Sequence, residues 1–186
     1  MGGHNALQLS LYANQRVKSL PITKLLVERY GFSMFDIGSK GSLNAFLIAA
    51  ELGETNHMDY FIRSDPSNAQ YAWASILKTV DNEKNNALHI SALKGTLQGT
   101  KFLVEKHGFN EFDKSNDMGR NAFLCSVSGC DSDKECARFD QVKYFLKRKP
   151  DILVSVDSKK INALMIAPSD SRIEEFLRVQ FFELYK

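Results

Sequence analysis

Five nearly identical six-residue stretches divide this chain: Asn5-Ala-Leu-Gln-Leu-Ser10, Asn44-Ala-Phe-Leu-Ile-Ala49, Asn86-Ala-Leu-His-Ile-Ser91, Asn121-Ala-Phe-Leu-Cys-Ser126 and Asn162-Ala-Leu-Met-Ile-Ala167. Their starts lie 39, 42, 35 and 41 residues apart. A period of about 20–50 residues marks a stacked repeat, in which each unit buries its apolar face only on its neighbours. A longer echo supports it. Thr23-Lys-Leu-Leu-Val-Glu-Arg-Tyr-Gly-Phe-Ser-Met-Phe-Asp36 returns 77 residues later as Thr100-Lys-Phe-Leu-Val-Glu-Lys-His-Gly-Phe-Asn-Glu-Phe-Asp113. The register holds without a gap as far as Leu47 and Leu124.

Each Asn-Ala-[Leu/Phe] opens a short helical pattern. Asn44 is placed as an N-cap, its side-chain oxygen accepting from an orphan amide of the first turn. Gly53 and Gly95 follow two of these helices at the same offset, where positive φ reverses the chain. A second helix then shows apolar residues three and four apart, as at Ile22, Leu25 and Leu26, at Leu97, Phe102 and Leu103, and at Val142, Phe145 and Leu146. Gly31 and Gly108 end two of them. A polar, turn-rich loop leads into the next unit. Surplus length sits at 64–80, where Ser67 is placed to cap an extra helix carrying Ala69, Ala72, Trp73, Ile76 and Val80, and at 129–137, a polar loop. Arg172–Phe182 fits a closing helix. Met1–His4 reads equally as native sequence or as a junction ahead of it, and the first unit starts at Asn5, which suggests a fragment of a longer protein.

Composition narrows the function classes. The formal net charge is +2, so no strong sign bias points to nucleic acid or to an anionic membrane. No apolar run approaches the roughly 20 residues that span a bilayer. Cys125, Cys130 and Cys136 are too few and too odd in number for a disulfide framework. They also lack the paired C-x-x-C spacing of a structural zinc site. Cys125 falls on an inner helix face, where cysteine acts as a small hydrophobe. The four histidines form no catalytic constellation: His57 begins a helix, His107 replaces Tyr30 in the long echo, and His4 belongs to the amino-terminal stretch. Gly38-Ser-Lys-Gly-Ser42 lacks the phosphate-loop spacing. Lys143, Lys147, Arg148 and Lys149 form a basic run on and after a second helix, offset by Asp140 and Asp151, and read as a solvated face. The expectation is no catalytic residue, no metal and no cofactor.

The repeat resembles the ankyrin repeat, whose pattern is Asp-x-x-Gly-x-Thr-Pro-Leu-His-x-Ala. Asp81-Asn-Glu-Lys-Asn-Asn-Ala-Leu-His-Ile-Ser-Ala-Leu-Lys-Gly95 carries the resemblance best, with Asn86 for the threonine and His89 for the histidine that ties loop to helix; Gly119 keeps the turn glycine. The resemblance runs from Asn5 to about Phe182. Alanine replaces the proline in all five units, one unit alone has the histidine, and Lys84 and Lys160 stand where the turn glycine belongs, where positive φ strains a lysine. The units also exceed the usual 33 residues.

The resemblance implies an all-α helical repeat solenoid of four to five units, a single domain over residues 5–182 with units starting near 5, 44, 86, 121 and 162. It implies a protein partner held in a concave groove of loop tips and first helices. Carried across, the groove residues are Lys40, Leu43, Glu51, Asn82, Glu83, Leu93, Lys94, Asp117, Met118, Arg120, Lys159 and Ile161, with Asn85 also at a loop position. Leu43, Leu93, Met118 and Ile161 are the apolar anchors, unless the longer loops cover them. The expected function is a monomeric, cytoplasmic interaction scaffold without chemistry of its own. The alternative is the targeting or regulatory part of a larger enzyme. A metal protein or enzyme built on the three cysteines is the third reading. The Asn-, Lys- and Phe-rich, loosely patterned repeats resemble those of intracellular bacteria or protists, some of which act in the host cytosol.

Overall fold

A computed structural model describes residues 4–13, 19–37, 43–65, 75–109, 114–128, 138–184 and 186. Among them the chain forms α1 (Ala6–Tyr12), α2 (Leu20–Glu28), α3 (Ala45–Leu52), α4 (Thr55–Ser64), α5 (Ala87–Lys94), α6 (Leu97–Lys101), α7 (Ala122–Ser128), α8 (Phe139–Arg148), α9 (Ala163–Ile166) and α10 (Arg172–Leu184). Helix α6 runs on into a π-helical turn over Phe102–Lys106, and 3-10 turns cover Ser75–Lys78 and Pro150–Val154. The described residues hold no strand, only isolated antiparallel bridges from Val80 to Asn86 and from Val156 to Asn162.

The first helices all begin in the same way. The side-chain oxygen of Asn5 accepts from Gln8 N, that of Asn44 from Leu47 N, and that of Asn121 from Leu124 N, each at 2.9 Å; Asn86 and Asn162 accept from His89 N and Met165 N at 3.0 Å. The cap therefore falls on the asparagine of every repeated stretch, and each such bond is worth about 0.5–2 kcal/mol. At the other end, Gly53 and Gly95 adopt φ of +73° and +74° and close α3 and α5. Gly95 has a second reason to lack a side chain: an added Cβ would lie 2.8 Å from Cγ of Arg138. That arginine donates from Nε to the Leu93 carbonyl at 2.7 Å, satisfying an orphan group at the end of α5.

Helices of seven or eight residues fall below the length of about 12–15 that sustains an isolated helix, so packing must hold them. The first helices α1, α3, α5, α7 and α9 pack side by side in one row, and the second helices lie in a row behind them, with α2 against α4, α6 against α8 and α8 against α10. Residues Ala45–Ala50, Ala87–Ala92 and Ala122–Val127 are buried without a break. A helix buried on all sides needs small residues to let its neighbours approach, and alanine supplies them in every stretch. The row behind is amphipathic; Met58, Phe61, Leu103, Val142, Phe145, Ile173 and Leu177 face the first row and are buried. An end unit lacks one neighbour: Leu9 of α1 is 54% exposed, while its counterparts Ile48, Ile90 and Cys125 are buried.

Thr23 and Glu28 of the long echo, and their counterparts Thr100 and Glu105, take equivalent polar partners. Ser10 Oγ lies 3.0 Å from Thr23 Oγ1, and the equivalent Ser91 Oγ lies 2.9 Å from Thr100 Oγ1. Tyr60 donates to Glu28 at 3.2 Å and Tyr144 to Glu105 at 3.1 Å, so the same strut joins neighbouring second helices in each half. Units one and two are thus repeated as a block in units three and four.

The extra helix expected over 64–80 falls largely on residues outside those described. Where the segment is described it departs from the expectation. Ser75–Lys78 is a single 3-10 turn with Ile76 buried, whereas Val80 is exposed and bridges to Asn86, so the two do not share a helix face. Asp65 holds the turn, accepting from Ile76 N at 2.8 Å and from Ser75 Oγ at 3.0 Å. The loop at 129–137, with Cys130 and Cys136, lies outside the described residues.

Candidate functional site

Three loops precede first helices with one construction. Asp81 Oδ1 accepts from Glu83 N at 2.9 Å and Asn85 N at 2.8 Å. Asn116 Oδ1 accepts from Met118 N and Arg120 N, both at 3.0 Å, and Asp157 Oδ1 from Lys159 N at 2.8 Å and Ile161 N at 3.1 Å. Each loop closes with a backbone bond, from Asp81 N to Asn85 O, Asn116 N to Arg120 O and Asp157 N to Ile161 O, all 3.0 Å. An Asx turn of this kind satisfies the backbone locally and projects the intervening residues. Burial would raise the Asp157 carboxyl, but the amides of Ile161 and Lys159 and the Arg120 guanidinium outweigh it and hold it below the usual carboxylate range.

Neighbouring loops are also tied to one another. Asp117 N donates to Glu83 O at 2.9 Å and Ser158 N to Met118 O at 3.0 Å, so the tips form a continuous edge. Lys84 Nζ reaches Asp117 at 2.6 Å across the surface. Behind the tips, His89 anchors the third unit to the next loop. Its Nε2 lies 2.8 Å from Lys114 O and 3.1 Å from Arg120 O. Carbonyls only accept, so Nε2 carries the proton. Burial pushes this imidazole below its ordinary value, against the pull of the two carbonyls.

The groove positions expected from sequence divide by what holds them. Asn82, Glu83, Asp117, Met118 and Lys159 are exposed at the tips, Met118 at 42%. Leu43, Glu51, Glu83, Leu93 and Lys94 are brought together around one cavity of about 220 Å³ between the second and third units, with Asp81, Asn85 and Ile90 completing it. Leu43 and Leu93 are half-buried against the core. Glu51 is shared between Lys94 at 2.8 Å and the Tyr12 hydroxyl at 3.2 Å. Arg120 turns inward: it is half-buried, with Nε 3.5 Å from Asp157. Ile161 is half-buried and Lys40 lies outside the described residues. Asn85, given a loop position, is buried instead and receives Asn116 Nδ2 at 2.8 Å.

Asp81 heads the stretch that carries the resemblance, but Asn116 and Asp157, likewise five positions ahead of a capping asparagine, escaped the sequence reading. Gln8 was also passed over, although it shares the register of His89. A larger cavity, about 500 Å³, lies between α8, the 150–154 turn and α10, with Lys143 and Lys147 on its rim. The basic run thus flanks an apolar floor of Leu146, Leu153 and Phe176 on the second-helix row, although Lys143 is paired with Asp140 at 3.1 Å.

Ser19 Oγ lies 3.2 Å from His57 Nε2, whose Nδ1 lies 3.7 Å from Glu54. The order copies a nucleophile–base–carboxylate line. Ser19 is wholly buried, however, so no substrate carbonyl reaches it, and the contact serves to tie α2 to α4. Burial pushes the Cys125 thiol up to about 12, so it holds little thiolate for nucleophilic attack near neutral pH. No three His, Cys, Asp or Glu residues among those described are placed to hold a metal ion. No helix among them is long and apolar enough to cross a membrane.

No family model matches the sequence, and neither does any curated protein sequence. The fold does have a match. The crystal structure of the ankyrin repeat protein EF0377 superimposes with a TM-score of 0.70 at 22% identity, over 100% of this chain and 82% of that one. Loss of the proline from every unit and of the histidine from all but one removes the letters that a sequence comparison scores, while caps, glycine reversals and small buried residues preserve the geometry. The chain is a divergent, expanded ankyrin-repeat fold.

Proposed function

We propose that this chain is a protein-binding module that holds a partner polypeptide against the loop tips and the first helices, without catalysis of its own. The observation that supports it is the edge of tied loops: Asp81, Asn116 and Asp157 fix each tip, and Asp117 N and Ser158 N fix tip to tip. A face set before docking loses little conformational entropy on binding. It presents exposed Met118 beside charged residues and an apolar-floored cavity one unit away. Apolar anchors ringed by polar groups are the make-up of binding hot spots. The same face would serve a targeting or regulatory role within a larger enzyme. The proposal places the module in the cytoplasm as a monomer, or in a host cytosol if it is translocated.

The test is affinity capture from a eukaryotic lysate with mass spectrometry, the native chain beside Met118→Glu/Lys159→Glu. Arg120 is left in place because a glutamate there would face Asp157 and loosen the loop. A protein retained by the native chain and lost by the variant, with the far-ultraviolet helical signal unchanged, is the expected result. Equal retention by both sinks the assignment.

A further inference from the structure

The cavity between the second and third units has the size of one side chain. Its volume of about 220 Å³ falls below the roughly 300–1,000 Å³ of small-molecule sites, and corresponds to about seven waters at their ~30 Å³ share of liquid. Its lining has two parts. Leu43, Ile90 and Leu93 make an apolar floor, and Glu51, Asp81 and Glu83 set three carboxylates against the one ammonium of Lys94. Lys94 is already paired with Glu51 at 2.8 Å. Asp81 and Glu83 are left with neutral donors only, the amides of the loop and Asn85 Nδ2, so the mouth carries an uncompensated negative charge among the described residues.

An aliphatic side chain would fill the floor but would strip water from two carboxylates and pair neither, which is costly. An acidic one would be repelled. A basic side chain meets both requirements, since its methylene stem covers apolar surface while its head stays at the polar rim. Arginine fits better than lysine, because its planar fork presents five donors to carboxylates and is less strongly hydrated.

Taking the groove as the partner-binding face proposed above, we infer that this cavity receives an arginine side chain of the partner, its stem on Leu43 and Leu93 and its guanidinium between Asp81 and Glu83. The recognised segment is therefore a basic residue next to apolar ones, the latter reaching Met118.

The experiment is selection of linear peptides from a random display library on the whole chain. Anisotropy titrations of the selected peptides follow, against Glu83→Lys and against the same charge change at exposed Glu175 of α10. The expected peptides carry arginine beside an aliphatic residue. They lose at least about tenfold in affinity on Glu83→Lys, weaken with added salt, and are unaffected by Glu175→Lys. Arginine-bearing peptides indifferent to Glu83→Lys overturn the inference. Peptides without a basic residue that are still lost on Met118→Glu/Lys159→Glu overturn it too, while leaving the groove assignment standing. No selected peptide, or peptides indifferent to every groove variant, overturns both.

Discussion

Gln8 and His89 stand third after their capping asparagines and make the same two bonds. Gln8 Nε2 donates to Asp36 O at 3.3 Å and Leu43 O at 3.0 Å, as His89 Nε2 does to Lys114 O and Arg120 O. Each also completes a capping box at the start of its helix. A carboxamide and an imidazole are thus interchangeable here. His89→Gln should stay within about 1 kcal/mol of the parent. His89→Leu strands two part-buried carbonyls and should cost roughly 1–3 kcal/mol. Urea unfolding of the pair decides it: equal midpoints would show that the two bonds contribute nothing.

Stability should fall on mild acidification. His57, His89 and His107 are all held below the ordinary 6.5, burial being the largest cause in each. Below about pH 6.5 the unfolded chain takes up protons that these imidazoles refuse in the fold. Stability is then full above that value and declines as the pH falls toward the lowered native values. Asp59, Asp157 and Glu174, held below ordinary carboxylate values, add their own loss only as the pH falls below about 4. Denaturation midpoints at pH 7.5 and 5.5 measure the first effect, and His89→Gln should shrink the difference. A midpoint that does not move across this range contradicts it.

The loop turns predict opposite outcomes for one kind of exchange. Gly119 sits at φ +74°, and an added Cβ would lie 2.4 Å from Ser158 N. Gly119→Ala must therefore both strain the turn and push the next loop away, at roughly 2 kcal/mol or more. Lys84 and Lys160 occupy the same turn position at φ +59° and +63° in the loops before and after. Replacing either by glycine relieves the strain and should gain roughly 0.5–1 kcal/mol, although Lys84→Gly also gives up its exposed contact with Asp117. Thermal melts of the three variants give the signs directly.

Cys125 should behave as core. Its thiol is buried and pushed up to about 12. A thiol reagent added to folded protein at pH 8 should leave it intact, with labelling only after denaturant. Peptide mapping of the labelled residue is the check, and native-state modification of Cys125 would contradict the packing.

The start of every first helix was legible because it is written locally. An asparagine cap, an alanine and a large apolar residue open each helix, followed by a second apolar residue in three units and by Gln8 or His89 in the other two, and the glycine at the end of α3 or α5 specifies its reversal. Lys84 and Lys160 were legible as well, as the places of the turn glycine in the resembled pattern, and both take positive φ. The segment ahead of Asp81 was not. Ile76 and Val80 are spaced as one helix face, yet Asp65, ten residues upstream, caps a single turn at Ser75–Lys78 and Val80 joins the bridge to Asn86. The turn is set by a side-chain bond from ten residues upstream, which the spacing of Ile76 and Val80 does not register.

Repetition within the sequence was enough to settle the architecture, because a unit that cannot bury its own apolar face has to stack on copies of itself. The candidate groove is different. Leu43 and Glu51 come from the second unit and Asp81 and Leu93 from the third, and only the approach of α3 to α5 makes them walls of one cavity. The direction of Arg120 was likewise settled by its neighbour, since Asp157 in the following unit draws it inward while Met118, two residues earlier, remains outside. Backbone form follows from residues close in sequence. Which charges meet, and which stay unpaired, depends on distances that exist only once the units are stacked.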